Sequence, residues 1–242
     1  MFRLLPPAAR CVTFVCFVVV VLTTGASSGQ MKADDQNTLS AAEKHARWKL
    51  LFDGATLDGW RGFKSTQPPA GWKVVDGTIY RAGPGGDLMS VDTYGDFELR
   101  LQWKLAEGGN SGIFFHAVPE GEEIWHSAPE MQILDNARHK DGAVPETSAG
   151  SNYALHAPAR DVTKPIGEWN DVRLVVKGPH VEHWLNGVKL LVYQLWSPDL
   201  EARVKKSKFG KIPLYGRAKT GHIGLQDHGD PVWFRNIKIR PL

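Results

Sequence analysis

Apolar and polar residues alternate along most of the chain, a pattern typical of β-strands with one buried face. The clearest run lies between residues 97 and 105. Its apolar positions are Phe97, Leu99, Leu101, Trp103 and Leu105, each separated from the next by one polar residue. The spacing predicts a strand whose apolar side chains pack into a core while the intervening polar side chains face outward.

Further strand-like runs lie at residues 72–82, 112–118, 130–134, 169–178 and 181–195. Asp76-Gly77 and Asn186-Gly187 each interrupt such a run with a dipeptide that favours a two-residue β-hairpin turn. Many short strands with regularly spaced turns predict an all-β fold, a single β-sandwich of two antiparallel sheets.

One or two short helices are predicted beside the strands. Ser40-Ala-Ala-Glu43 fits a capping box, and Ser197-Pro198 fits an N-cap followed by the first helical residue. We therefore expect one sandwich domain over residues 46–242. A flexible lead-in that carries the first helix is expected at residues 30–45.

The first 29 residues have the pattern of a secretory signal peptide. Arg3 and Arg10 lead into an apolar run at residues 11–22, and small residues follow up to Gly29. The run is shorter than the roughly 20 residues of a membrane-spanning helix. We expect cleavage just after Ala26, Ser28 or Gly29 and export to the periplasm or the outside of the cell, with no membrane attachment afterwards. An uncleaved anchor is the alternative.

Loss of this segment changes what the composition means. Cys11 and Cys16 are the two cysteines of the chain, so the mature part would have no disulfide, thiol nucleophile or cysteine zinc site. Removal of Arg3 and Arg10 lowers the formal charge from +3 to +1. The remainder gives no indication of a nucleic-acid partner. The basic stretch at residues 203–208 is typical of a solvated loop.

Polar side chains gather at the end of a predicted strand near the C-terminus. Ile223 and Leu225 belong to a core face, whereas Gln226 and His228 point to the opposite face. Asp227 lies between them in the same turn. An amide, an imidazole and a carboxylate at one strand end form a candidate site, although a solvated turn often has this composition as well.

A second polar set lies in the middle of the chain. Alternation places Glu130 and Gln132 on one face of a strand that ends at Asp135. It also places His116 on the same face as Phe114 in another strand. A sheet that brings these strands beside the C-terminal turn would have one polar face. The plain alternative for each strand is solvated surface.

Aromatic residues next to polar ones are typical of sugar sites. Trp125 precedes a histidine, and Tyr153 follows an asparagine. Sugars have apolar C–H faces and polar edges, which suit aromatic rings beside amides and carboxylates. The core is the alternative position for each ring. His139 lies in the loop-like segment at residues 136–152, from which it could reach a site, although a solvated loop is the favoured interpretation for this residue.

Several blocks, in order, resemble one known family. They are Leu51-FDGATLDGW, Asn110-SGIFF, Glu130-MQILD, Glu168-WN, His183-WLNG, Ser207-KFGKIPL and Gly221-HIGLQDHGDPVWFRNIKI. From about residue 50 to its end, the chain resembles the domain family named for 3-keto-disaccharide hydrolysis. The resemblance implies a concanavalin-like jelly roll. It also implies activity on 3-keto-glycosides, as a 1,2-lyase or as a hydratase of the resulting 3-keto-2-hydroxy-glucal. Members commonly carry arginine where this chain has His116.

A 3-keto sugar explains why imidazole and carboxyl groups would suffice. The C3 ketone acidifies the C2 hydrogen, so a base removes it, the enediolate expels the glycosidic oxygen from C1, and water adds back. We assign His116 or His228 as the base and Glu130 as the acid or a metal ligand. The assigned substrate binders are Gln132, Asp135, Gln226, Asp227, Trp125 and Tyr153. The residues identify no cofactor with certainty, and a divalent cation held by Glu130 with His116 or His228 is an open alternative.

Three functions are compatible with the sequence. The first is an exported enzyme that cleaves an oxidised di- or oligosaccharide by elimination and hydration. The second is a non-catalytic carbohydrate-binding module, because sandwiches of this kind also serve as lectins. The third is an ordinary glycosidase, which the absence of a closely spaced carboxylate pair in the sequence disfavours.

Overall fold

The computed structural model describes Met1, Phe2 and residues 36–242. The predicted signal peptide and the start of the lead-in lie outside these described residues, so both stay predictions. The compact unit from Lys32 to Leu242 contains every helix and strand named below. Among the described residues, no helix is long and apolar enough to cross a membrane.

Thirteen strands build the fold in the described part of the chain. They are β1 (Lys49–Leu50), β2 (Trp60–Gly62), β3 (Trp72–Val75), β4 (Thr78–Arg81), β5 (Leu88–Ser90), β6 (Phe97–Leu105), β7 (Asn110–Ala117), β8 (Glu130–Leu134), β9 (Asn170–Lys177), β10 (His180–Leu185), β11 (Val188–Gln194), β12 (His222–Leu225) and β13 (Val232–Pro241). The helices are α1 (Ala41–His45) and α2 (Pro198–Lys206). Short 3₁₀ turns occur at Ile124–His126, Lys140–Ala143, Pro145–Thr147 and Lys208–Lys211.

The strands form two antiparallel sheets. The large sheet has the order β11-β10-β9-β6-β13-β4-β3, with β1 also paired to β13. The small sheet has the order β2-β5-β12-β7-β8. The prediction of an all-β sandwich of two antiparallel sheets with two short helices is confirmed.

The core lies between the two sheets, where burial of apolar surface is the main stabilising term. All five apolar side chains of β6 that alternation selected are buried there. The small sheet contributes Ile113, Phe115, Met131, Ile133, Ile223 and Leu225 to the same cluster. The predicted core faces of β6, β8 and β12 are therefore correct.

Two hairpins turn at the predicted dipeptides. Asp76 and Gly77 have φ values of 48° and 69°, and Asn186 and Gly187 have values of 49° and 79°. A type I′ turn requires positive φ at both central residues, which asparagine, aspartate and glycine tolerate best. These local sequences therefore set the pairing of β3 with β4 and of β10 with β11.

The end of the lead-in is attached to the sandwich. The backbone N–H of Asn37 donates to Oδ1 of Asn236 at 2.6 Å, and Nδ2 of Asn37 donates to the carbonyl of Gly77 at 2.8 Å. Asn37 is buried. The predicted flexibility is wrong for this residue, because long-range partners that the local sequence does not show hold it. The Ser40 capping box of α1 is present as predicted.

A β-bulge turns one assigned site residue away from the others. The pairing of β12 with β7 slips by one residue just before Ala117, and His116 occupies the bulge with a φ of 51°. Its ring packs edge-on against Phe97 and Phe115 of the core. The prediction that His116 shares the face of Phe114 is therefore wrong, because a bulge interrupts strand alternation.

Candidate functional site

The outer face of the small sheet, opposite the core, is divided into an apolar half and a polar half. In the apolar half, the 3₁₀ turn Ile124–His126 covers the sheet, and the buried cluster consists of Met89, Phe114, Ala117, Ile124 and Ala128. The polar half, which we call the polar face, consists of Asp87, Asn110, Gly112, Glu130, Gln132 and Gln226. It is the candidate site because polar side chains from neighbouring strands converge there.

Glu130 lies at the centre of the polar face and is only 5% exposed. It begins β8, and the register of β8 with β7 pairs Gly112 with Gln132. A Cβ atom on Gly112 would lie 2.2 Å from Oε1 of Glu130. The missing side chain at Gly112 therefore leaves the space across β7 that the Glu130 carboxyl group occupies.

Gln132 hydrogen-bonds the Glu130 carboxyl group. In one orientation of the amide, its nitrogen donates to Oε1 of Glu130 at 3.0 Å and to the carbonyl of Ser111 at 2.8 Å. In the opposite orientation the amide oxygen of Gln132 would face these two acceptors, with which it cannot form a hydrogen bond. The amide nitrogen would then donate only to the carbonyl of Thr147, at 3.3 Å. We assign the first orientation. Gln132 therefore positions Glu130, which replaces its predicted role as a binder of sugar hydroxyls.

Burial raises the pKa of Glu130 from 4.5 to about 8, and the charge of Lys208 only partly opposes this shift. The charges of Asp87 and Asp141 raise it further. None of the ion pairs within residues 36–242 includes Glu130. The carboxyl group is therefore protonated at neutral pH, the state that a general acid requires.

Lys208 supplies the positive charge beside the polar face. Its Nζ lies 4.4 Å from the ring centre of Tyr153 and 5.0 Å from that of Trp125. Burial lowers the pKa of Lys208, and the charge of Glu130 partly reverses the shift. The basic stretch at residues 203–208 lies in α2 and the 3₁₀ turn that follows it and not in a loop, but it is solvated as predicted, and Lys208 is exposed. The Ser207-KFGKIPL block, which resembles the family, was the signal that could have identified it.

Tyr153 reaches the site because its segment adds to the free edge of β8. The N–H of Gln132 donates to the carbonyl of Ser151 at 3.1 Å, and the N–H of Tyr153 donates to that of Glu130 at 3.0 Å. The phenol donates to Oδ2 of Asp141 at 3.3 Å. Burial raises the pKa of Tyr153 to about 12. At neutral pH its hydroxyl is therefore a neutral hydrogen-bonding group.

Two imidazoles lie at the end of the polar face near Asn110. The rings of His139 and His228 are 6.1 Å apart, and the Asn110 amide nitrogen lies 3.5 and 3.4 Å from their Nε2 atoms. Nδ1 of His139 accepts the N–H of Asp141 at 3.1 Å, which fixes the orientation of the ring. His228 lies at the surface, yet partial burial lowers its pKa despite the charge of Asp230. A neutral His228 can act as a base.

The other residues assigned to substrate binding differ in whether a side-chain oxygen is left without a hydrogen-bond partner. Oε1 of Gln226 is buried without a hydrogen-bond partner, which suits a substrate hydroxyl. Asp227 instead pairs with Arg81 at 2.7 Å and accepts backbone N–H groups. Asp135 accepts the N–H groups of two loop residues. These two carboxylates stabilise loops, so we withdraw their assignment to the substrate.

The described residues show no ready metal site. Within residues 36–242, no group of three or more His, Cys, Asp or Glu side chains could hold a metal ion. The sequence-based alternative that Glu130 binds a divalent cation therefore has no set of ligands here.

Two cavities lie away from the polar face. Their volumes are about 310 and 430 Å³, and both are lined by Asn136, Ala137 and Asp161. Neither is lined by Glu130 or Lys208. Burial raises the pKa of Asp161, but hydrogen bonds outweigh burial and lower it. Asp161 therefore lacks the proton-donor character of Glu130, and we place the site on the open polar face.

A β-sandwich whose polar face joins a protonated carboxyl group, two imidazoles, a lysine and aromatic rings has the features of a carbohydrate-active enzyme. The family described as the 3-keto-alpha-glucoside-1,2-lyase-like domain matches residues 47–240. The chain belongs to this family, which confirms the resemblance seen in the sequence.

Individual relatives agree with this assignment. The 3-keto-disaccharide hydrolase of Bacteroides thetaiotaomicron is 35% identical over 247 residues, which cover 89% of this chain and 85% of the relative. A crystal structure from Parabacteroides distasonis, provisionally named a glycosyl hydrolase, is 35% identical with a TM-score of 0.81 and covers 86% of this chain and 99% of its own. A second from that organism is 27% identical with a TM-score of 0.63, covering 81% and 99%. These similarities support a carbohydrate-active enzyme.

Proposed function

We propose that the protein is an exported enzyme that cleaves 3-keto-glycosides by elimination followed by hydration, with net hydrolysis of an oxidised di- or oligosaccharide. The family and the named hydrolase from Bacteroides thetaiotaomicron support this class of substrate. The observation that carries the proposal is the Glu130 carboxyl group, which is buried, free of ion pairs and protonated at neutral pH on an open polar face.

The elimination half begins at C2 of the sugar. The ketone at C3 makes the C2 hydrogen acidic, and His228 removes it as a proton because its lowered pKa keeps the imidazole neutral. The electron pair left on C2 spreads onto the C3 oxygen and forms an enediolate. Lys208 lies beside the face as a cation that would stabilise this negative oxygen.

Departure of the glycosidic oxygen completes this half. The C1–O bond breaks as the electron pair moves into a C1=C2 double bond, and Glu130 gives its proton to the leaving oxygen. No oxocarbenium ion forms, so the reaction does not require the closely spaced carboxylates of ordinary glycosidases. Gln132 holds the carboxyl group in place during the transfer.

The hydration half adds water to the 3-keto-2-hydroxy-glucal. The water oxygen bonds to C1 and releases one proton, which in the net reaction replaces the proton that Glu130 gave up, while C2 takes back a proton from protonated His228. The sum of both halves is hydrolysis of the glycoside. Gln226, whose Oε1 has no partner, and the rings of Trp125 and Tyr153 would bind the sugar.

Export rests on the first 29 residues, which lie outside the described part of the chain. Their basic start, apolar run and small residues support a signal peptide that directs the protein to the periplasm or the medium. N-terminal sequencing of the protein recovered from its native compartment tests this. A start near residues 27–30 is expected, whereas an intact Met1 would contradict cleavage.

Incubation of the purified protein with a 3-keto-disaccharide and with its unoxidised parent tests the activity. Mass spectrometry should show cleavage of the keto sugar alone, with 3-keto-2-hydroxy-glucal as a transient product. Cleavage of both sugars would favour an ordinary glycosidase. Saturable binding of several keto sugars without turnover would favour the carbohydrate-binding module.

A further inference from the structure

Asp87 is a second carboxyl residue on the polar face, and the steps above give it no role. It directly precedes β5, in which Leu88 packs into the core and Met89 packs on the outer side. Alternation therefore turns Asp87 outward. The register pairs Leu88 with Leu225, so Asp87 stands beside Gln226.

Asp87 and Glu130 flank Gln226 from opposite sides. The N–H of Gln226 donates to the carbonyl of Gly112 at 3.0 Å, and the Glu130 carboxyl group occupies the space above Gly112. Neighbouring strands are about 4.8 Å apart, so groups above β5 and β7 stand roughly 10 Å apart or less. A separation of this order leaves room for a water molecule beside a sugar ring.

Asp87 keeps one carboxyl oxygen free. Oδ1 accepts the N–H of Asp227 at 2.8 Å, and no hydrogen bond within residues 36–242 involves Oδ2. Asp227 differs, because Arg81 takes one of its oxygens and the N–H groups of Gly85 and Gly86 take the other. Asp87 is therefore anchored through one oxygen and available through the other.

The two carboxyl groups differ in protonation near neutral pH. Burial raises the pKa of Asp87 to about 7, and the charges of Asp227 and Glu123 contribute to the shift. Asp87 is thus partly ionised at a pH at which Glu130 holds its proton. Environments that separate the pKa values of two neighbouring groups suit one to accept a proton and the other to donate one.

We propose that Asp87 is the general base of the hydration half, an assignment that rests on the proposed function. The Asp87 carboxylate removes a proton from water while the water oxygen bonds to C1 of the 3-keto-2-hydroxy-glucal. The electron pair of the C1=C2 bond takes a proton from protonated His228, which restores the neutral imidazole. Asp87 then releases its proton to the water around the open polar face, and Glu130, which lost a proton during elimination, takes one up from the same water. All protons balance, and no redox partner is needed.

Separate assays of the two halves with D87N test this. The amide oxygen of D87N could still accept the Asp227 N–H, and D58N is the matched control because Asp58 is exposed. The substrates are a 3-keto-disaccharide for elimination and purified 3-keto-2-hydroxy-glucal for hydration. D87N should hydrate the glucal at least about 100-fold more slowly while elimination changes little, so that the glucal accumulates. D58N should match the wild type.

Hydration by D87N at the wild-type rate, or an equal loss of both halves, would overturn the assignment of Asp87. Wild-type protein that hydrates the glucal but does not cleave the disaccharide would refute the elimination half alone, and D87N would still decide the role of Asp87. Wild-type protein that acts on neither substrate would overturn both proposals. Should D87N fail to melt cooperatively, D87S is the second variant, because its hydroxyl can also accept the Asp227 N–H.

Discussion

Glu98 and Glu130 are both almost inaccessible on the outward side of their sheets, but their surroundings differ. Glu98, 1% exposed, accepts hydrogen bonds from Arg100, Arg173 and Arg240. Burial alone would raise its pKa, but the hydrogen bonds from the arginines outweigh burial and lower the pKa of Glu98 to about 2.

Glu130 is buried to a similar degree without a comparable set of cations. Its neighbours are an amide, a glycine, other carboxylates and Lys208, and burial raises its pKa to about 8. Burial is therefore common to both glutamates, and the number of arginines decides whether the group is a fixed charge or a proton donor. This contrast is the reason that the candidate site is placed on the small sheet.

The largest expected effect is on the activity of E130Q. The amide cannot donate an acidic proton, so turnover of a 3-keto-glycoside should fall by about 10²–10⁴-fold. Since glutamine has nearly the same shape, the melting temperature should not decrease. Steady-state kinetics of E130Q beside E98Q measure this, and an E130Q enzyme with wild-type turnover would remove Glu130 from the mechanism.

The corresponding change in the large sheet, E98Q, should affect stability and leave turnover per folded molecule intact. Three arginines would lose their carboxylate, at a cost of about 2 kcal/mol. This is below the value for fully buried pairs because the arginines are partly solvated. The loss should shrink as the pH falls from about 4.5 toward 2, where Glu98 itself becomes protonated. Urea unfolding at several pH values checks this, and equal stability at neutral pH would contradict it.

A moderate effect is expected from G112A. The new methyl group would collide with Oε1 of Glu130, so the carboxyl group must move while the strand itself stays paired. Activity should fall by roughly 10–100-fold, since small displacements of a catalytic group cost this much. G83A is the matched control, because a Cβ there would meet nothing within 4 Å. Equal kinetics of the two variants would show that Gly112 does not make room for Glu130.

Glu130 also affects the pH dependence of stability. Folded Glu130 keeps its proton up to about pH 8, whereas in the unfolded chain it loses it near 4.5. The folded state therefore binds more protons between these values, and Glu130 makes stability fall as the pH rises through this window. The melting temperature of E130Q relative to wild type should rise from pH 5 to pH 8. A constant difference would mean that the pKa of Glu130 is not raised.

The local sequence was enough to predict which side chains of β8 face the candidate site. Alternation gave the correct faces for Glu130 and Gln132 because β8 is regular, with Met131 and Ile133 in the core. The same rule was wrong at His116, where one extra residue in β7 reverses the side-chain direction. A bulge depends on the pairing of two strands, and no local pattern marked it.

The electrostatics of the site could not be predicted from the sequence. Asp87 and Lys208 are far from Glu130 along the chain. Their charges shift the pKa of Glu130 only because the fold brings the three residues together. Asp135 and Asp227 had suitable side chains for a sugar site, but nearby N–H groups and Arg81 already occupy their oxygens. Residue type alone does not reveal which oxygens are free.

The segment that delivers Tyr153 to the site also closes the edge of the small sheet. β8 is the last strand of that sheet, and an open edge of this kind can pair with a second molecule and start aggregation. The bonds from Gln132 to Ser151 and from Tyr153 to Glu130 occupy the backbone groups that a second molecule would use. A mutation that weakens these backbone bonds would therefore promote aggregation of the protein. It would also displace Tyr153 from the site.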